Sequence, residues 1–397
     1  MRSEFPIFKH NPGLVYLDSA STTHKPYCVI EAEMNFYTKQ YANIHRGIYD
    51  LGVIATQSFE NTREKVREFL NVKSYAEIIF TSGTTEGINL VAQCFALPIL
   101  QEGDNIIISA MEHHANLIPW QQICLIKKAE LRIIPMDIQG VLDVDSLDFL
   151  IDINTKIVAI THISNTLGTI NPIEMIIQKA HKKNVPVLLD AAQSIASYVI
   201  DIQDLDVDFL VFSAHKLFGP TGVGVLFGKE KYLNQMIPYQ YGGDMIRDVS
   251  FERTIFAPLP NKFEAGTPNI AGVVGLGAAV DFVENIGRDT INKHIKKLLD
   301  STLEQFSEIE NLEIIGNAPQ KSSITSFILR GIHPHDVASI LSSQNVAIRA
   351  GHHCTQPIMD FFDIAGTNRV SYSIYNTMDD VAKLMASINL VSKTLMM

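Results

Sequence analysis

Residues 209–224 read FLVFSAHKLFGPTGVG, an apolar run that leads directly into a glycine-rich turn. The apolar part is typical of a buried strand, and the glycines beyond it indicate a turn. Lys216 therefore lies just past the end of a predicted strand, where a rigid sheet edge would hold its side chain. Most lysines in loops are surface residues, so this stretch alone leaves the role of Lys216 open.

Short apolar runs alternate with amphipathic stretches on both sides of this strand, over residues 76–227. This alternation is typical of βαβ units around a mostly parallel sheet. It predicts helices over 84–96 and 173–183, the second with Asn171 as its cap and Pro172 in its first turn. The predicted strands are 77–80, 105–109, 131–135, 157–161, 187–190, 209–213 and 224–227. The sequence therefore predicts an α/β fold with a seven-stranded, mostly parallel sheet.

The pattern changes near residue 283 to a mixture of helices and strands. This mixture indicates a second, smaller α+β domain. The elements predicted there are helices over 285–306, 336–344 and 378–395 and strands over 312–315 and 323–329. We expect a large domain over residues 17–283 and a small domain made of residues 1–16 and 284–397.

The composition of the 397-residue chain excludes several classes of protein. It is 46% hydrophobic and 19% charged, which is typical of a globular protein. The net charge of −11 would repel nucleic acid and anionic membrane surfaces. The four cysteines lie far apart without a CxxC pair, which argues against a disulfide framework. Since no apolar run approaches the roughly 18 residues of a membrane helix, we expect a cytoplasmic protein.

Polar residues follow several predicted strands, at the edge where open α/β sheets bind ligands. Asp190 ends one strand, where its carboxylate could pair with a protonated ring nitrogen or cap the following helix. Residues 81–87, TSGTTEG, could bind a phosphate at a helix N-terminus or form an ordinary cap. The glycines at 222, 224 and 228 do not match the spacing G-x-G-x-x-G, which disfavours a nicotinamide dehydrogenase.

Cys354 lies in the polar segment 349–354, RAGHHC, beside two histidines and near an arginine. Positive or protonatable neighbours favour the thiolate, which is the reactive form of cysteine. The alternative is a buried structural cysteine, an interpretation that fits the three cysteines in helical or apolar patterns better. Those three are Cys28, Cys94 and Cys124. A metal site formed by Cys354 and its adjacent histidines is disfavoured, because no fourth ligand is indicated.

Seven motifs in register along nearly the whole chain carry a family resemblance. They are SGTTEGIN (82–89), EHHAN (112–116), THISN (161–165), DAAQ (190–193), SAHKLFGP (213–220), FEAGTPN (263–269) and RAGHHC (349–354). With them the chain resembles the cysteine desulfurases of the class V aminotransferase family, in particular their SufS-type, or group II, branch. The resemblance implies a fold-type I transferase that uses pyridoxal 5'-phosphate. Ser82 departs from the pattern, since some relatives carry arginine there.

The resemblance implies a role for each matching residue. Lys216 would bind the cofactor covalently, Asp190 would pair with its pyridine nitrogen, and His113 would stack on its ring. The other residues implied to contact the cofactor are Thr84, Thr85, Gln193, Ser213, His215 and, from a neighbouring subunit, Thr267. The residues implied to contact the substrate or to lie near the entrance are Asn165, Arg349, Arg369, His45 and Arg46. No metal site is implied.

The activity implied is the conversion of L-cysteine to L-alanine, with the sulfur passing to Cys354 as a persulfide. A homodimer would then transfer the sulfur to a SufE- or SufU-like acceptor protein and on to an iron–sulfur assembly scaffold. Two alternatives stay open at this point. One is a selenocysteine lyase, which would use the same site, and the other is a non-catalytic scaffold that keeps the fold.

Overall fold

The computed structural model describes residues 1–395, in which fifteen strands are present. They are β1 (Val15–Tyr16), β2 (Ile78–Thr81), β3 (Asn105–Ser109), β4 (Glu130–Ile134), β5 (Thr155–Thr161), β6 (Val187–Asp190), β7 (Phe209–Ser213), β8 (Gly224–Gly228), β9 (Ile246–Val249), β10 (Thr254–Phe256), β11 (Leu312–Ile315), β12 (Ile324–Leu329), β13 (Val346–Ala347), β14 (Arg349–Gly351) and β15 (Thr367–Ser371).

Fifteen α-helices surround and connect these strands in the same part of the chain. They are α1 (Pro6–His10), α2 (Tyr27–Asn35), α3 (Asp50–Phe69), α4 (Thr84–Val91), α5 (Leu97–Ile99), α6 (Ile118–Lys127), α7 (Leu147–Leu150), α8 (Ile173–His181), α9 (Ile202–Leu205), α10 (Glu230–Leu233), α11 (Ile270–Ile286), α12 (Arg288–Ser307), α13 (Pro334–Ser343), α14 (Gln356–Phe362) and α15 (Met378–Leu395). No single helix in residues 1–395 is long and apolar enough to cross a membrane, although α11 and α12, bent by 75°, pass together by length and composition.

The large sheet has seven strands in the order β2-β8-β7-β6-β5-β3-β4. The five strands from β7 to β4 are parallel, and β8 and β2 continue the sheet in antiparallel pairings. Every residue of β3, β6, β7 and β8 is buried, as expected for strands covered on both faces. The α/β class and all seven predicted strands are confirmed.

A second sheet is antiparallel and has the strand order β11-β12-β15-β14. The N-terminal segment joins this part of the chain, because β1 pairs with β13 and Phe5 packs on the ring of Tyr375. These contacts support a small domain made of residues 1–16 and 284–397, a division that stays a prediction.

Two of the predicted helices are interrupted. The helix expected over 285–306 is broken at Gly287, whose φ of 83° lies in the left-handed region that glycine tolerates, so that α11 ends and α12 begins there. The helix expected over 84–96 is α-helical only to Val91 and ends in a π-helical turn, Ala92–Ala96. Neither break removes residues from the expected strands.

Two further predictions are wrong. Asn171 does not cap α8, because its amide Nδ2 donates instead to the carbonyl of Thr161 at 2.8 Å, and Pro172 occupies the cap position. Cys28 is exposed on α2, whereas Cys94 and Cys124 are buried as expected. The local sequence pattern encodes neither the hydrogen-bond partner of Asn171 nor the exposed face of α2 on which Cys28 lies.

The β5–α8 loop, residues 162–172, packs against the segment that leads into β12. The backbone N–H of Ser322 donates to the carbonyl of Gly168 at 2.8 Å. Gly168 has a φ of +75°, and a Cβ atom there would overlap the carbonyl of Ile324. We call this contact between residues 164–170 and 316–326 the seam, and only glycine allows its close backbone approach.

We expect Gly168→Ala to lower the free energy of unfolding by about 2–4 kcal/mol, because overpacking and a left-handed alanine each cost about 1–2 kcal/mol. The measurement is the midpoint of urea denaturation. Gly103→Ala is the matched control, since Gly103 has a φ of +87° but nothing within 4 Å of its Cβ position. An equal loss in both variants would contradict a steric role for the seam.

Candidate active site

A cavity of about 190 Å³ lies where the small sheet faces the carboxyl ends of the large sheet's strands. Both sheets and the N-terminal segment contribute to its wall. The lining includes twelve of the residues predicted from the sequence, namely Thr84, Thr85, His113, Asn165, Asp190, Gln193, Ser213, His215, Lys216, Arg349, Cys354 and Arg369. The structure therefore gathers residues that are spread over nearly 300 positions of the chain into one site.

Lys216 and Asp190 are the oppositely charged pair at the centre of this cavity. Asp190 ends β6, is buried, and accepts a hydrogen bond at Oδ1 from the backbone N–H of Ala192 at 2.9 Å. Burial raises the pKa of Asp190, and the nearby Lys216 opposes that shift. Burial also lowers the pKa of Lys216 to about 8, with Asp190 acting in the opposite direction. Lys216 therefore loses its proton about two pH units more readily than an exposed lysine, and the neutral amine so formed is the species that acts as a nucleophile or base.

One end of the cavity is suited to an anion. Helix α4 begins at Thr84, and the free N–H groups and dipole of a helix N-terminus favour negative charge. The Ser213 hydroxyl joins this end, because it accepts from the backbone N–H of Thr84 and lies 2.8 Å from its hydroxyl. His215 lies alongside with Nδ1 at 3.2 Å from the Thr22 hydroxyl. Burial lowers the pKa of His215 to about 4, so it contributes hydrogen bonding rather than charge.

His113 forms another wall and is held by its own loop. Its Nδ1 accepts from the backbone N–H of Ala115 at 3.0 Å, and burial lowers its pKa to about 3. The preceding residue, Glu112, is fully buried and accepts from the backbone N–H of Thr161 and the amide of Asn116. The ring of His113 is therefore neutral and fixed, as an aromatic surface against a flat ligand would be.

Arg349 and Arg369 lie directly opposite each other on β14 and β15. Like charges at facing positions of a sheet are destabilising, so the pair indicates an anionic ligand. Arg369 is 2% exposed and donates to Asp18 Oδ1 at 2.7 Å, to the Ser21 hydroxyl at 2.8 Å and to the carbonyl of Asn165 at 2.9 Å. Among residues 1–395 its Nε has no hydrogen-bond partner. One buried donor therefore remains available to a ligand.

The loop that carries Cys354 is fixed by contacts on both sides. The carbonyl of Cys354 accepts from the backbone N–H of His114 at 2.8 Å, and the carbonyl of His353 accepts from Asn165 Nδ2 at 2.8 Å. His353 and Cys354 have φ values of 53° and 60°, which are left-handed conformations that cost free energy in non-glycine residues. The His353 ring bonds through Nε2 to the Thr367 hydroxyl at 2.9 Å, which fixes the ring behind the loop.

The sequence model of the family described as aminotransferase class-V matches residues 15–384. The chain belongs to the aminotransferase class-V family. A probable cysteine desulfurase from Halalkalibacterium halodurans is 47% identical over 384 residues, which are 96% of this chain and 94% of that protein. The match therefore spans both proteins almost from end to end.

Two solved structures of cysteine desulfurases share the fold of this class-V family member. The apo enzyme from Thermococcus onnurineus NA1 superposes with a TM-score of 0.95 at 36% identity, covering 99% of this chain and 97% of that one. The Escherichia coli enzyme CsdA, in an S-sulfonic acid form, gives 0.93 at 38% identity, with the same coverage of 99% and 97%. The resemblance to the cysteine desulfurases of the class V family is thus confirmed, and the SufS-type branch stays a prediction.

Three predicted residues do not line the cavity of this single class-V chain. Thr267 is exposed, and His45 is bonded through Nε2 to Glu60 at 2.9 Å. Arg46 is bonded to Asp244 and its side chain is 66% exposed. Their predicted places at a shared entrance or in a neighbour's site stay predictions.

Sequence reasoning missed three residues that support the site of this class-V protein. Ser21 lines the cavity and accepts hydrogen bonds from both Arg349 and Arg369, while Asp18 accepts from Arg369. A signal was present, because a polar run follows the apolar residues 14–17, as at the other strand ends. Glu112 is the first residue of the motif at 112–116, but the resemblance implies no role for it.

The lowered pKa of Lys216 predicts how its reactivity as an amine depends on pH. In protein without bound ligands, labelling of Lys216 by an amine-reactive reagent should be half-maximal near pH 8, because the amine loses its proton there. Peptide mass spectrometry measures the labelling, with exposed lysines as internal controls near their usual pKa of about 10.4. Asp190→Asn should move the midpoint lower, since Asp190 stabilises the ammonium form. A midpoint equal to that of the exposed lysines would contradict the assigned environment.

Proposed function

We propose that this class-V family member is a pyridoxal-phosphate-dependent cysteine desulfurase, in which Lys216 holds the cofactor and Cys354 receives the sulfur. The overall reaction converts L-cysteine and the Cys354 thiol to L-alanine and a Cys354 persulfide. The observation that carries the proposal is that one cavity holds the Lys216–Asp190 pair, two arginines and a fixed cysteine. Full-length relatives named as cysteine desulfurases support the same activity.

The donor set of the cavity fits pyridoxal phosphate. The anion end formed by the N-terminus of α4, Ser213 and His215 suits the phosphate. Asp190 is a buried carboxylate suited to a protonated pyridine nitrogen, and His113 offers a fixed ring for stacking. Gln193, whose Nε2 donates to the carbonyl of Ala20 at 2.9 Å, lies between these groups and the N-terminal segment. When bound, the cofactor supplies an electron sink next to the substrate's α-carbon.

The arginine pair suits the carboxylate of the amino-acid substrate. Guanidinium groups offer carboxylates planar, fixed N–H donors, and the two arginines together can supply more than the single free donor of Arg369. Arg369 is held in place from three sides, so its unpartnered Nε can be directed at a ligand without further ordering. Binding the carboxylate here would turn the substrate's side chain toward Cys354, which lines the same cavity.

Lys216 and Cys354 would divide the chemistry between them. The neutral amine of Lys216 takes the α-proton of the substrate and returns a proton to the product. The thiolate of Cys354 attacks the substrate's Sγ, so the Cβ–Sγ bond breaks and a new S–S bond forms on Cys354. The electron pair of the broken bond stays with Cβ, which takes up the proton that the Cys354 thiol released, so alanine leaves with one sulfur fewer and the enzyme holds that sulfur as a persulfide.

The proposal also covers the subunit assembly of the enzyme and the acceptor of its sulfur. A homodimer would bring Thr267 to a neighbour's phosphate site and place His45 and Arg46 at the entrance, which the exposure of Thr267 and Arg46 supports. A SufE- or SufU-like protein would accept the sulfur for iron–sulfur cluster assembly. The proposed location is the cytoplasm, where a reducing environment keeps cysteines free for such transfer.

Cys354→Ala should keep the bound cofactor but lose sulfide and alanine formation by on the order of 10³-fold, because the nucleophile is missing and Lys216 is untouched. Absorbance of the cofactor and assays of both products measure this separation. Cys28→Ala is the matched control, because Cys28 is an exposed cysteine outside the cavity, and it should retain parental rates. Normal turnover by the Cys354 variant would contradict the proposal.

A further inference from the structure

Lys321 is a buried lysine in the seam. It is 9% exposed, and its Nζ donates to the carbonyls of Leu167 and Gly316 at 2.7 and 2.6 Å. No carboxylate in residues 1–395 forms a salt bridge with it. A buried ammonium without a counter-ion is costly, so a lysine at this place needs a specific reason.

Other hydrogen bonds of the seam join the same two segments, the β5–α8 loop and residues 316–326. The N–H of Ile170 donates to the carbonyl of Gln320 at 3.0 Å, and the Ser326 hydroxyl donates to the carbonyl of Thr166 at 2.7 Å. Lys321 pairs with Thr169 in an isolated β-bridge. The side chain of Lys321 thus reaches back along the loop to Leu167, two residues from Asn165, which lines the cavity.

The β5–α8 loop contacts both Arg369 and the loop that carries Cys354. Asn165, two residues before Leu167, accepts from Arg369 through its backbone carbonyl and donates through its side chain to the carbonyl of His353. A displacement of Asn165 would therefore disturb the guanidinium of Arg369 and the loop of Cys354 together. Neither Arg369 nor Cys354 forms a hydrogen bond with Lys321, so any effect of Lys321 on them passes through the loop.

We propose that Lys321 is a positioning residue, whose ammonium group fixes the β5–α8 loop so that Asn165 can orient Arg369 for the substrate carboxylate. The inference rests on the proposed role of Arg369 in binding that carboxylate. Burial lowers the pKa of Lys321 to about 7. Both the ammonium and the neutral amine have two or more N–H donors, so the two carbonyl bonds persist as the group titrates.

The test compares Lys321→Met, which keeps the apolar stem but has no donor, with the holoenzyme of the parent. Hydrogen exchange of peptides covering residues 164–170 should become about tenfold faster, the equilibrium equivalent of losing the one buried hydrogen bond from Lys321 to the loop, at Leu167. Calorimetry should show L-alanine, the proposed product, binding about tenfold more weakly for the same reason. Lys321→Arg, which retains N–H donors, should restore most of both properties.

A stability control separates positioning from general destabilisation. Ile388→Ala removes a buried side chain in α15, outside the seam and the cavity. It should lower the melting temperature while leaving exchange at 164–170 and L-alanine affinity unchanged. Parental exchange and affinity in Lys321→Met, or equal losses in Ile388→Ala, would overturn the proposal. If the parent does not bind L-alanine, the proposed function fails, and exchange alone then decides whether Lys321 holds the loop.

Discussion

The seam between the β5–α8 loop and the segment entering β12 is the contact on which the site depends. The large sheet supplies Lys216, and the small sheet supplies Arg369. Hydrogen bonds such as that from Ser322 to Gly168 hold the loop against the small sheet. Because each sheet is a closely packed unit, fixing this one contact also fixes the guanidinium and amine groups relative to each other.

Charge explains what the cavity can bind. Lys216, Arg349 and Arg369 are opposed by two carboxylates, Asp190 in the cavity and Asp18 behind Arg369, and burial keeps His113 neutral. The excess of positive charge and hydrogen-bond donors suits a ligand with two anionic groups, one at each end. A phosphate-bearing cofactor joined to an amino acid has that arrangement, with the phosphate at the start of α4 and the carboxylate at the arginines.

The sequence predicted the strands well because apolar β-branched runs and polar strand ends are local signals. It also placed Lys216 and Cys354 in the site, through a strand end and through motifs of the family. The break at Gly287 was missed because a glycine within an apolar pattern does not by itself end a helix. The polar run after residues 14–17 pointed to Ser21 as a strand-end residue, but its arginine partners and the role of Lys321 could not be predicted, since each depends on contacts between segments more than a hundred residues apart.

Sulfur transfer from L-cysteine to Cys354 is the step on which the proposed function depends most. The most direct measurement is mass spectrometry of peptides after a single turnover with L-cysteine that carries a heavy sulfur isotope. We expect one labelled sulfur on the Cys354 peptide, together with one equivalent of L-alanine. Alanine formed with Cys354 unmodified, or label on Cys28 instead, would contradict it.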